Sequence, residues 1–320
     1  MNQVSAPIVT VNGVRKHFAG VTAVDGLSFT VNRGEIFGLV GPDGAGKTAT
    51  MRMLAGVMRP DGGDIIIDGV DVVSDAESAK QHLSYMPQRF GLYEDLTVDE
   101  NIRFYADLFE VAKDVREQRA RRLLEASGMS GFRRRRAGQL SGGMKQKLGL
   151  TCALVHTPRI LLLDEPTTGV DPVSRRDFWR ILYDLREQGV TILITTAYLD
   201  EAERCNRLAL LHRGRVLYCD TPAALKRHMP GAVIAISSAA GRQVRAAVAA
   251  LAGVSNVILV GGGVHAVVDD AGLRIPELRD ALQRADIAFA DIALATPSIE
   301  DVFVALLEND GTAHNEGTAQ

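Results

Sequence analysis

The chain is poor in cysteine and in aromatic residues, and it lacks a long apolar run. Its cysteines, Cys152, Cys205 and Cys219, have no paired spacing, so the sequence predicts neither disulfides nor a cysteine metal site and suits a reducing compartment. No apolar stretch reaches the ~18–20 residues that span a bilayer. The N-terminus has neither the charged nor the apolar region of a signal peptide. We therefore expect a cytoplasmic protein.

The chain also has little net charge. Its 320 residues carry a formal net charge of −3, which gives no attraction to nucleic acid. A content of 46% hydrophobic and 5% aromatic residues is typical of a soluble α/β protein. The basic run Arg133–Arg136 either faces anionic lipid headgroups or a partner, or lies in a solvated loop, which is the favoured alternative. We expect no nucleic-acid partner and no disulfide partner.

A glycine-rich segment matches the phosphate-binding pattern G-x-x-x-x-G-K-[ST]. Its small residues let the backbone N–H groups turn inward around a phosphate, and glycine accepts the positive φ that such a loop demands. A buried strand is predicted before it, at residues 35–40, and a helix after it, whose N-terminus faces the anion. Lys47 would reach the β- and γ-phosphates, and the Thr48 hydroxyl would bind Mg²⁺. The nucleotide-binding residues predicted in this segment are Gly41, Pro42, Asp43, Gly44, Ala45, Gly46, Lys47 and Thr48.

Two adjacent acids follow a fully aliphatic segment. Ile160–Leu163 predicts a parallel strand buried on both faces, and it is followed by Asp164 and Glu165. Asp164 suits the second coordination shell of the Mg²⁺ that Thr48 would hold, and Glu165 suits a catalytic role in which it polarises a water in line with the γ-phosphate. A structural role is disfavoured because an unpaired buried carboxylate is costly, although an ordinary strand-to-loop transition stays open.

These motifs occur in a fixed order with others. Gln88 follows Tyr-Met-Pro, Ser141-Gly-Gly-Met144 forms a signature, and Asp171 lies in Gly-Val-Asp-Pro. With this order the chain resembles the ATP-binding subunit of an ABC transporter over residues 8–222. Within that family it is similar to the drug-export ATPases that serve ABC-2 type permeases, and in particular to the first ATPase half of YbhF-type multidrug exporters. Residues 86–97 and 140–150 carry that likeness.

The resemblance implies a role for each matching residue. Phe18 would stack on adenine, with a core phenylalanine as the alternative. Gln88 would act in catalysis by binding Mg²⁺ or the attacking water, with an exposed loop glutamine as the alternative. Asp171 would lie at the seam of a dimer. The signature would contact the γ-phosphate held by the opposite subunit, with a helix N-terminus behind it; its residues are Ser141, Gly142, Gly143 and Met144.

The resemblance also implies cofactors and partners. It implies an ATPase that uses ATP and Mg²⁺, couples hydrolysis to export, and lies peripherally on the inner face of the cell membrane. The implied partners are an ABC-2 type permease and a second ATPase subunit, either identical or non-identical. The segment 89–105 would dock the permease, with apolar candidates that fit a local core equally well: Phe90, Leu92 and Tyr93.

Two positions depart from the family pattern. Ala49 stands where relatives place a hydroxyl that binds the α-phosphate, a loss worth about 0.5–1.5 kcal/mol. Ala197 stands where most relatives place a histidine that touches the γ-phosphate and orients the water. We therefore expect this chain's own site to be slow and its signature to complete a faster site on a non-identical ATPase. Two alternatives stay open: identical copies that work normally, and a nucleotide-gated regulator with little or no hydrolysis.

The periodicity predicts two domains and a tail. Residues 1–230 would form the ABC ATP-binding domain that the resemblance implies, an α/β P-loop NTPase core with an antiparallel β layer and a helical signature subdomain. Residues 231–307 follow a β-α-β-β-α-β order, which predicts a small ferredoxin-like α+β domain whose last strand spans 287–292. Residues 298–301 would cap a final helix at 302–307, and the polar residues 308–320 are predicted to be disordered.

Overall fold

The computed structural model describes the backbone of residues 6–316 and the side chains of residues 6–307. The chain forms two compact units, Met1–Cys219 and Asp220–Gln320. The predicted domain boundary at residue 230 lies inside the second unit, and the bounds of the functional domains stay a prediction. The backbone of residues 308–316 is helical, where the sequence predicts disorder, and residues 317–320 lie outside the described part.

The first unit alternates strands and helices along the chain. Its strands are β1 (Val9–Phe18), β2 (Val21–Val31), β3 (Ile36–Val40), β4 (Gly62–Ile67), β5 (Val70–Asp71), β6 (Leu83–Met86), β7 (Ile160–Asp164), β8 (Thr191–Thr196), β9 (Arg207–His212) and β10 (Arg215–Asp220). Its helices are α1 (Lys47–Leu54), α2 (Ala76–Lys80), α3 (Val98–Leu108), α4 (Lys113–Ala126), α5 (Gly142–Leu154), α6 (Pro172–Glu187) and α7 (Leu199–Ala202).

A six-stranded sheet forms the centre of the first unit. Its strand order is β10-β9-β3-β8-β7-β6, and the pairs β9–β3, β3–β8, β8–β7 and β7–β6 are parallel. Every residue of β3, β7 and β8 is buried, as their aliphatic runs predict. Val40 pairs with Thr196, and Asp164 pairs with Thr195, so the loops after β3, β7 and β8 leave the same edge of the sheet.

The predicted antiparallel β layer is present beside this sheet. Its order is β2-β1-β4-β5, with antiparallel pairing throughout. Phe29 of this layer stacks on Phe37 of β3, with ring centroids 5.3 Å apart, and both belong to one apolar core with Met51 and Leu54 of α1. The layer and the central sheet therefore hold α1, and with it the end of the glycine-rich loop, between them.

The predicted helical subdomain consists of α3, α4 and α5. Thr97 and Glu100 form a capping box: the Glu100 N–H donates to Thr97 Oγ1 at 3.2 Å, and the Thr97 N–H donates to Glu100 Oε2 at 2.8 Å. The basic run does not form an open cationic surface at its first residue, because Arg133 Nε donates to Asp99 Oδ1 at 2.8 Å. The helices share an apolar cluster of their own that includes Val98, Ile102, Leu124 and Leu148.

The second unit is a smaller α+β structure. Its elements are α8 (Pro222–Lys226), β11 (Ala232–Ser237), α9 (Gly241–Val248), β12 (Val254–Val260), β13 (Gly263–Val268), α10 (Ala271–Arg284), β14 (Asp291–Ala295) and α11 (Ile299–Glu316). The antiparallel sheet has the order β12-β13-β11-β14, and α9 and α10 pack on one face of it. After α8, the elements follow the β-α-β-β-α-β order.

Two boundaries in this unit differ from the prediction. The last strand is Asp291–Ala295, not 287–292, because Ile287 and Phe289 pack into the core from the preceding loop and so imitate a strand pattern. The final helix begins at Ile299, before the predicted start at residue 302, and the Asp301 N–H donates to Ser298 Oγ at 3.1 Å. Within the described part of the chain, no helix is both long and apolar enough to cross a membrane.

Candidate functional site

The glycine-rich loop turns sharply between β3 and α1. Gly46 precedes α1 with a φ of +99°, and a Cβ there would lie 2.5 Å from the Ala23 carbonyl oxygen. A Cβ on Gly41 would lie 2.3 Å from the Leu211 carbonyl oxygen. Only glycine meets both requirements of Gly46, the left-handed backbone and the close approach of β2. The loop backbone is therefore fixed by its neighbours in the fold.

Lys47 is a buried cation at the base of this loop. Its side chain is 4% exposed, and Nζ donates to Gly41 O at 2.7 Å and to Pro42 O at 3.0 Å. The same Nζ lies 3.0 Å from Glu165 Oε1 and 4.0 Å from Asp43 Oδ1. The predicted phosphate-binding lysine and the predicted water-activating glutamate are thus brought together.

The Asp164 carboxylate is buried beside Thr48. Thr48 Oγ1 donates to Asp164 Oδ1 at 3.2 Å, and Thr195 Oγ1 donates to the same oxygen at 2.8 Å. Tyr85 OH donates to Asp164 Oδ2 at 3.3 Å. Burial, followed by the charge of Asp164, raises the pKa of Tyr85 to about 12, so this hydroxyl stays protonated at neutral pH. Sequence reasoning missed Tyr85, whose signal is its place near the end of the strand that neighbours β7.

The donor set fits a small divalent cation. Thr48 and Asp164 supply a hydroxyl and a carboxylate oxygen, the hard ligands that Mg²⁺ prefers, and Mg²⁺ in such sites takes the rest of its shell from phosphate and water. Among the described residues, no group of three or more His, Cys, Asp or Glu side chains could hold a metal by itself. A cation here would therefore depend on a bound nucleotide.

Glu165 has a strained backbone conformation and is held by several hydrogen bonds. Its φ is +48°, a left-handed conformation that is costly for a non-glycine residue. Its N–H donates to Thr195 Oγ1 at 2.8 Å. Its Oε2 accepts hydrogen bonds from Gln88 Nε2 at 3.1 Å and Thr168 Oγ1 at 3.3 Å. The geometry thus places the carboxylate between Gln88 and Lys47.

Lys47, Thr48, Gln88 and Glu165 line an open cavity of about 460 Å³, whereas among the described residues neither Asp164 nor Phe18 lines it. Phe18, at the end of β1, is 43% exposed, so the alternative of a core phenylalanine is wrong, and Lys16 Nζ lies 5.7 Å from its ring centroid. Sequence reasoning missed Ala23, a small residue of β2 with no chemical signal of its own. The cavity is lined by Ala23, Asp43, Gly44, Gly46, Lys47, Thr48, Ala49, Gln88 and Glu165.

The signature lies outside this cavity. Ser141 precedes α5, its Oγ accepts a hydrogen bond from the Met144 N–H at 3.3 Å, and both Ser141 and Gly142 are exposed. Gly143 is buried against α6, where a Cβ would lie 2.5 Å from Ser174 Cβ. Among the described residues that line the cavity, none belongs to the signature. The exposed end of α5 is therefore open to another molecule.

Asp171 and Ala197 lie on two further segments, and among the described residues neither lines the cavity. Asp171 caps α6: its Oδ1 accepts from the Ser174 N–H at 2.9 Å and from the Val173 N–H at 3.1 Å. The hydrogen bonds from Ser174 lower the pKa of Asp171 below its ordinary value. Ala197 follows β8 directly and is exposed, at the sheet edge that also carries the glycine-rich loop.

Comparison with known proteins decides the family. The model of the ABC transporter family matches residues 24–168. The chain is 35% identical over 305 residues to the daunorubicin resistance ATP-binding protein DrrA3 of Streptomyces coeruleorubidus, covering 94% of this chain and 96% of that protein. The chain belongs to the ABC transporter ATPases.

Other relatives of this ABC transporter ATPase agree. It is 43% identical over 313 residues to the probable multidrug ABC transporter ATP-binding protein YbhF of Escherichia coli (strain K12), covering 96% of this chain and 53% of YbhF. The chain thus spans about half the length of YbhF. A solved structure described as the ATP binding subunit of an ABC transporter matches with a TM-score of 0.63 and 30% identity, covering 69% of this chain and 92% of that one. The predicted family and the predicted fold class are confirmed, and ATP is the nucleotide of this family.

Proposed function

We propose that this ABC transporter ATPase powers the export of a drug-like or lipid-like molecule through a separate ABC-2 type permease. The names of two relatives support the drug-like class: YbhF is a probable multidrug ABC transporter ATP-binding protein, and DrrA3 is a daunorubicin resistance ATP-binding protein. The Nod factor export ATP-binding protein I of Burkholderia lata is 44% identical over 213 residues, covering 66% of this chain and 70% of that protein. The Lys47–Glu165–Gln88 cluster at the base of the cavity carries the proposal.

The chemistry follows from the residues around the cavity. The loop N–H groups and Lys47 bind the phosphates, and the N-terminus of α1 adds its partial positive charge. Thr48 and Asp164 would hold Mg²⁺, which would neutralise charge that develops on the phosphates. Glu165 accepts a hydrogen bond from the attacking water and orients it, with Gln88 holding the carboxylate from the other side. Phe18 offers its exposed face to adenine.

A second ATPase subunit completes the site. The exposed N-terminal end of α5 carries Ser141 and Gly142. Because the first N–H groups of a helix have no intrahelical partner, this end suits a γ-phosphate held by another cassette. Asp171, on the exposed start of α6, lies at the seam between the cassettes. We propose a non-identical second ATPase because Ala197 offers no imidazole to this chain's own nucleotide, while the signature is intact.

A permease docks beside Gln88. An apolar groove of about 220 Å³ lies between the core and the helical subdomain. Phe90 lines the groove and also packs partly into the core of the helical subdomain. Leu92 packs partly into the same core but is not among the described residues that line the groove. Tyr93 is 47% exposed. Docking here places the ATPase peripherally on the inner face of the cell membrane. The groove is lined by Ala55, Val57, Lys80, Leu83, Ser84, Tyr85, Phe90, Tyr105, Leu108, Phe109 and Ala153.

A nucleotide-gated regulator with little hydrolysis is the second candidate, and Ala197 is the observation that favours it. The two are separated by measuring phosphate release from Mg-ATP for the chain alone, for the chain with a co-purified second ATPase, and for Glu165→Gln. The export proposal expects turnover that requires Glu165. If the chain releases no more phosphate than Glu165→Gln does, and that rate is low both alone and with the second ATPase, the protein is the regulator. If wild type and Glu165→Gln release phosphate at the same substantial rate, the assigned chemistry is contradicted.

The proposed dimer, in which a nucleotide lies between the cavity of one cassette and the signature of another, is tested separately by analytical ultracentrifugation. Glu165→Gln saturated with Mg-ATP is expected to sediment as a dimer, with itself or with the second ATPase, and Ser141→Arg is expected to stay monomeric because a bulky cation blocks the exposed helix end. A monomer under every condition would contradict the two-cassette site.

A further inference from the structure

The Glu201 carboxylate is buried outside the nucleotide cavity and contacts both segments that hold Glu165. Glu201 has an exposed fraction of 0%, and its Oε2 accepts hydrogen bonds from Thr167 Oγ1 at 3.0 Å and Thr196 Oγ1 at 2.9 Å. Thr167 lies in the turn after β7, and Thr196 is the last residue of β8. One carboxylate oxygen thus ties the ends of two neighbouring strands together.

Each of these threonines is adjacent to a residue that contacts Glu165. Thr168 Oγ1 donates to Glu165 Oε2 at 3.3 Å, and Thr195 Oγ1 accepts from the Glu165 N–H at 2.8 Å. Because Glu165 has a φ of +48°, its position depends on outside contacts rather than on its own backbone preference. Glu201 therefore holds the frame in which the strained glutamate sits.

The other oxygen of Glu201 faces Arg175 of α6. Arg175 Nε lies 3.6 Å from Glu201 Oε1, and among the described residues neither buried atom has a hydrogen-bond partner. The guanidinium also lies 4.2 Å from the centroid of the Tyr198 ring, and NH1 lies 3.8 Å from Asp200 Oδ2. Arg175 supplies the positive charge that a fully buried carboxylate requires. It also fixes Tyr198, the residue next to Ala197.

Arg175 belongs to the first turn of α6. Its N–H donates to the Asp171 carbonyl oxygen at 2.9 Å, so the guanidinium moves with the capped, exposed end of that helix. Lys147 of α5 and Asp177 of α6 form another ion pair, at 3.0 Å, whose described partners include neither Glu201 nor its two threonines. Substitutions in the Arg175–Glu201 and Lys147–Asp177 pairs can therefore distinguish an effect on the placement of Glu165 from a general effect on α6.

We propose that Arg175 and Glu201 are positioning residues that couple the Asp171 end of α6 to the placement of Glu165. The proposal rests on the proposed role of Glu165 in activating water. A displacement of the α6 terminus, as when a second cassette meets Asp171, shifts Arg175 against Glu201 and thereby the strand ends that hold Glu165. Among the described residues that line the nucleotide cavity, neither Arg175 nor Glu201 occurs, so both act on the rate of the chemical step and not on nucleotide affinity.

The test is a single-turnover measurement with the full chain in excess over radiolabelled Mg-ATP, alongside direct nucleotide binding. Glu201→Gln keeps an oxygen for both threonines and removes the charge. It is expected to lower the rate constant of phosphate release about tenfold or more, with ATP affinity changed less than about twofold. Arg175→Gln is expected to behave alike. The double variant is expected to be no slower than the slower single variant, because coupled residues are non-additive.

Matched controls separate the possible outcomes. Asp177→Asn removes the Lys147–Asp177 ion pair and is expected to leave the rate constant and the ATP affinity unchanged. Independent, additive losses from Arg175→Gln and Glu201→Gln, or wild-type rates in both, overturn the coupling. If Glu165→Gln retains the wild-type rate, the proposed chemistry itself fails; if it abolishes the rate while Glu201→Gln does not, only the positioning role fails. If Glu201→Gln does not fold, the test uses Arg175→Gln, because the Arg175 side chain is 22% exposed. The proposal then expects this variant to lower the rate constant of phosphate release without lowering ATP affinity.

Discussion

Lys47 Nζ lies 3.0 Å from Glu165 Oε1, so one buried cation joins the phosphate loop to the end of β7. The same ammonium donates to the carbonyl oxygens of Gly41 and Pro42. A phosphate that binds this ammonium competes with Glu165 for its charge. Nucleotide binding and the freedom of the Glu165 carboxylate to meet a water are therefore physically linked.

Removal of this cation is expected to abolish tight nucleotide binding. Lys47→Met leaves the carbonyl oxygens and the Glu165 carboxylate without their donor, and we expect ATP affinity to fall at least about tenfold, as measured by titration calorimetry. Lys80→Met is the control, because the Lys80 side chain is 41% exposed, pairs with Glu77 and does not line the cavity. Equal affinities in the two variants would refute the role of Lys47.

The signature glycines are expected to differ sharply in tolerance. Gly143→Ala puts a Cβ 2.5 Å from Ser174 Cβ, whereas at Gly142 the nearest atom, Gly169 O, is 3.9 Å away. We expect Gly143→Ala to lower the free energy of unfolding by about 1–3 kcal/mol and Gly142→Ala to change it by less than about 0.5 kcal/mol. The single tryptophan, Trp179, is buried in α6, so its fluorescence in urea follows this packing. The reverse order of stabilities would show that α5 and α6 are not in this contact.

The Asp171 cap is expected to make stability pH-dependent. Its folded pKa is lowered, chiefly by hydrogen bonds from Ser174, below the ordinary value of 3.8. Its stabilising effect is therefore fully present above that ordinary value and disappears as pH falls through the lower, folded pKa. Asp171→Ala is expected to lower the urea midpoint at pH 7, and the difference from wild type is expected to narrow under strong acid. Asp171→Asn keeps a capping oxygen without a titrating charge, so it is expected to retain the cap at every pH. If the urea midpoints of wild type and Asp171→Ala differ by the same amount from pH 7 down to strong acid, the link between Asp171 protonation and stability is contradicted.

The missing imidazole is expected to limit hydrolysis. Ala197→His restores a group that can orient the water, and we expect the steady-state rate to rise about tenfold or more. Ala49→Thr adds only a hydrogen bond to the α-phosphate, so it is expected to lower the half-saturating ATP concentration without raising the maximal rate. An unchanged maximal rate in purified Ala197→His would remove the basis for a slow site.

Local chemistry made much of this molecule predictable. The aliphatic runs of β3 and β7 are decisive because both faces of these strands are buried, and the glycine-rich loop needs the positive φ that it has at Gly44 and Gly46. The capping box at Thr97 is equally local, since donor and acceptor are three residues apart. Such features depend on neighbours in sequence, which pattern reasoning can use.

The features that were missed depend on contacts between distant segments. Tyr85 reaches Asp164 because β6 and β7 are neighbours in the sheet, and Ala23 lines the cavity because β2 passes close to Gly46. Arg175 and Glu201 meet only after α6 and α7 have packed. The strand β14 was misplaced because a buried loop residue such as Phe289 has the same apolar character as a strand residue.

The position of Ser141 outside this chain's own cavity has a kinetic consequence. If the phosphate-binding and phosphate-capping surfaces face different molecules, turnover in dilute solution rises more steeply than the protein concentration, because an encounter must precede each catalytic event. A membrane protein that anchors both cassettes replaces that encounter with a tether and raises the effective concentration. Unassembled copies then leave cellular ATP intact.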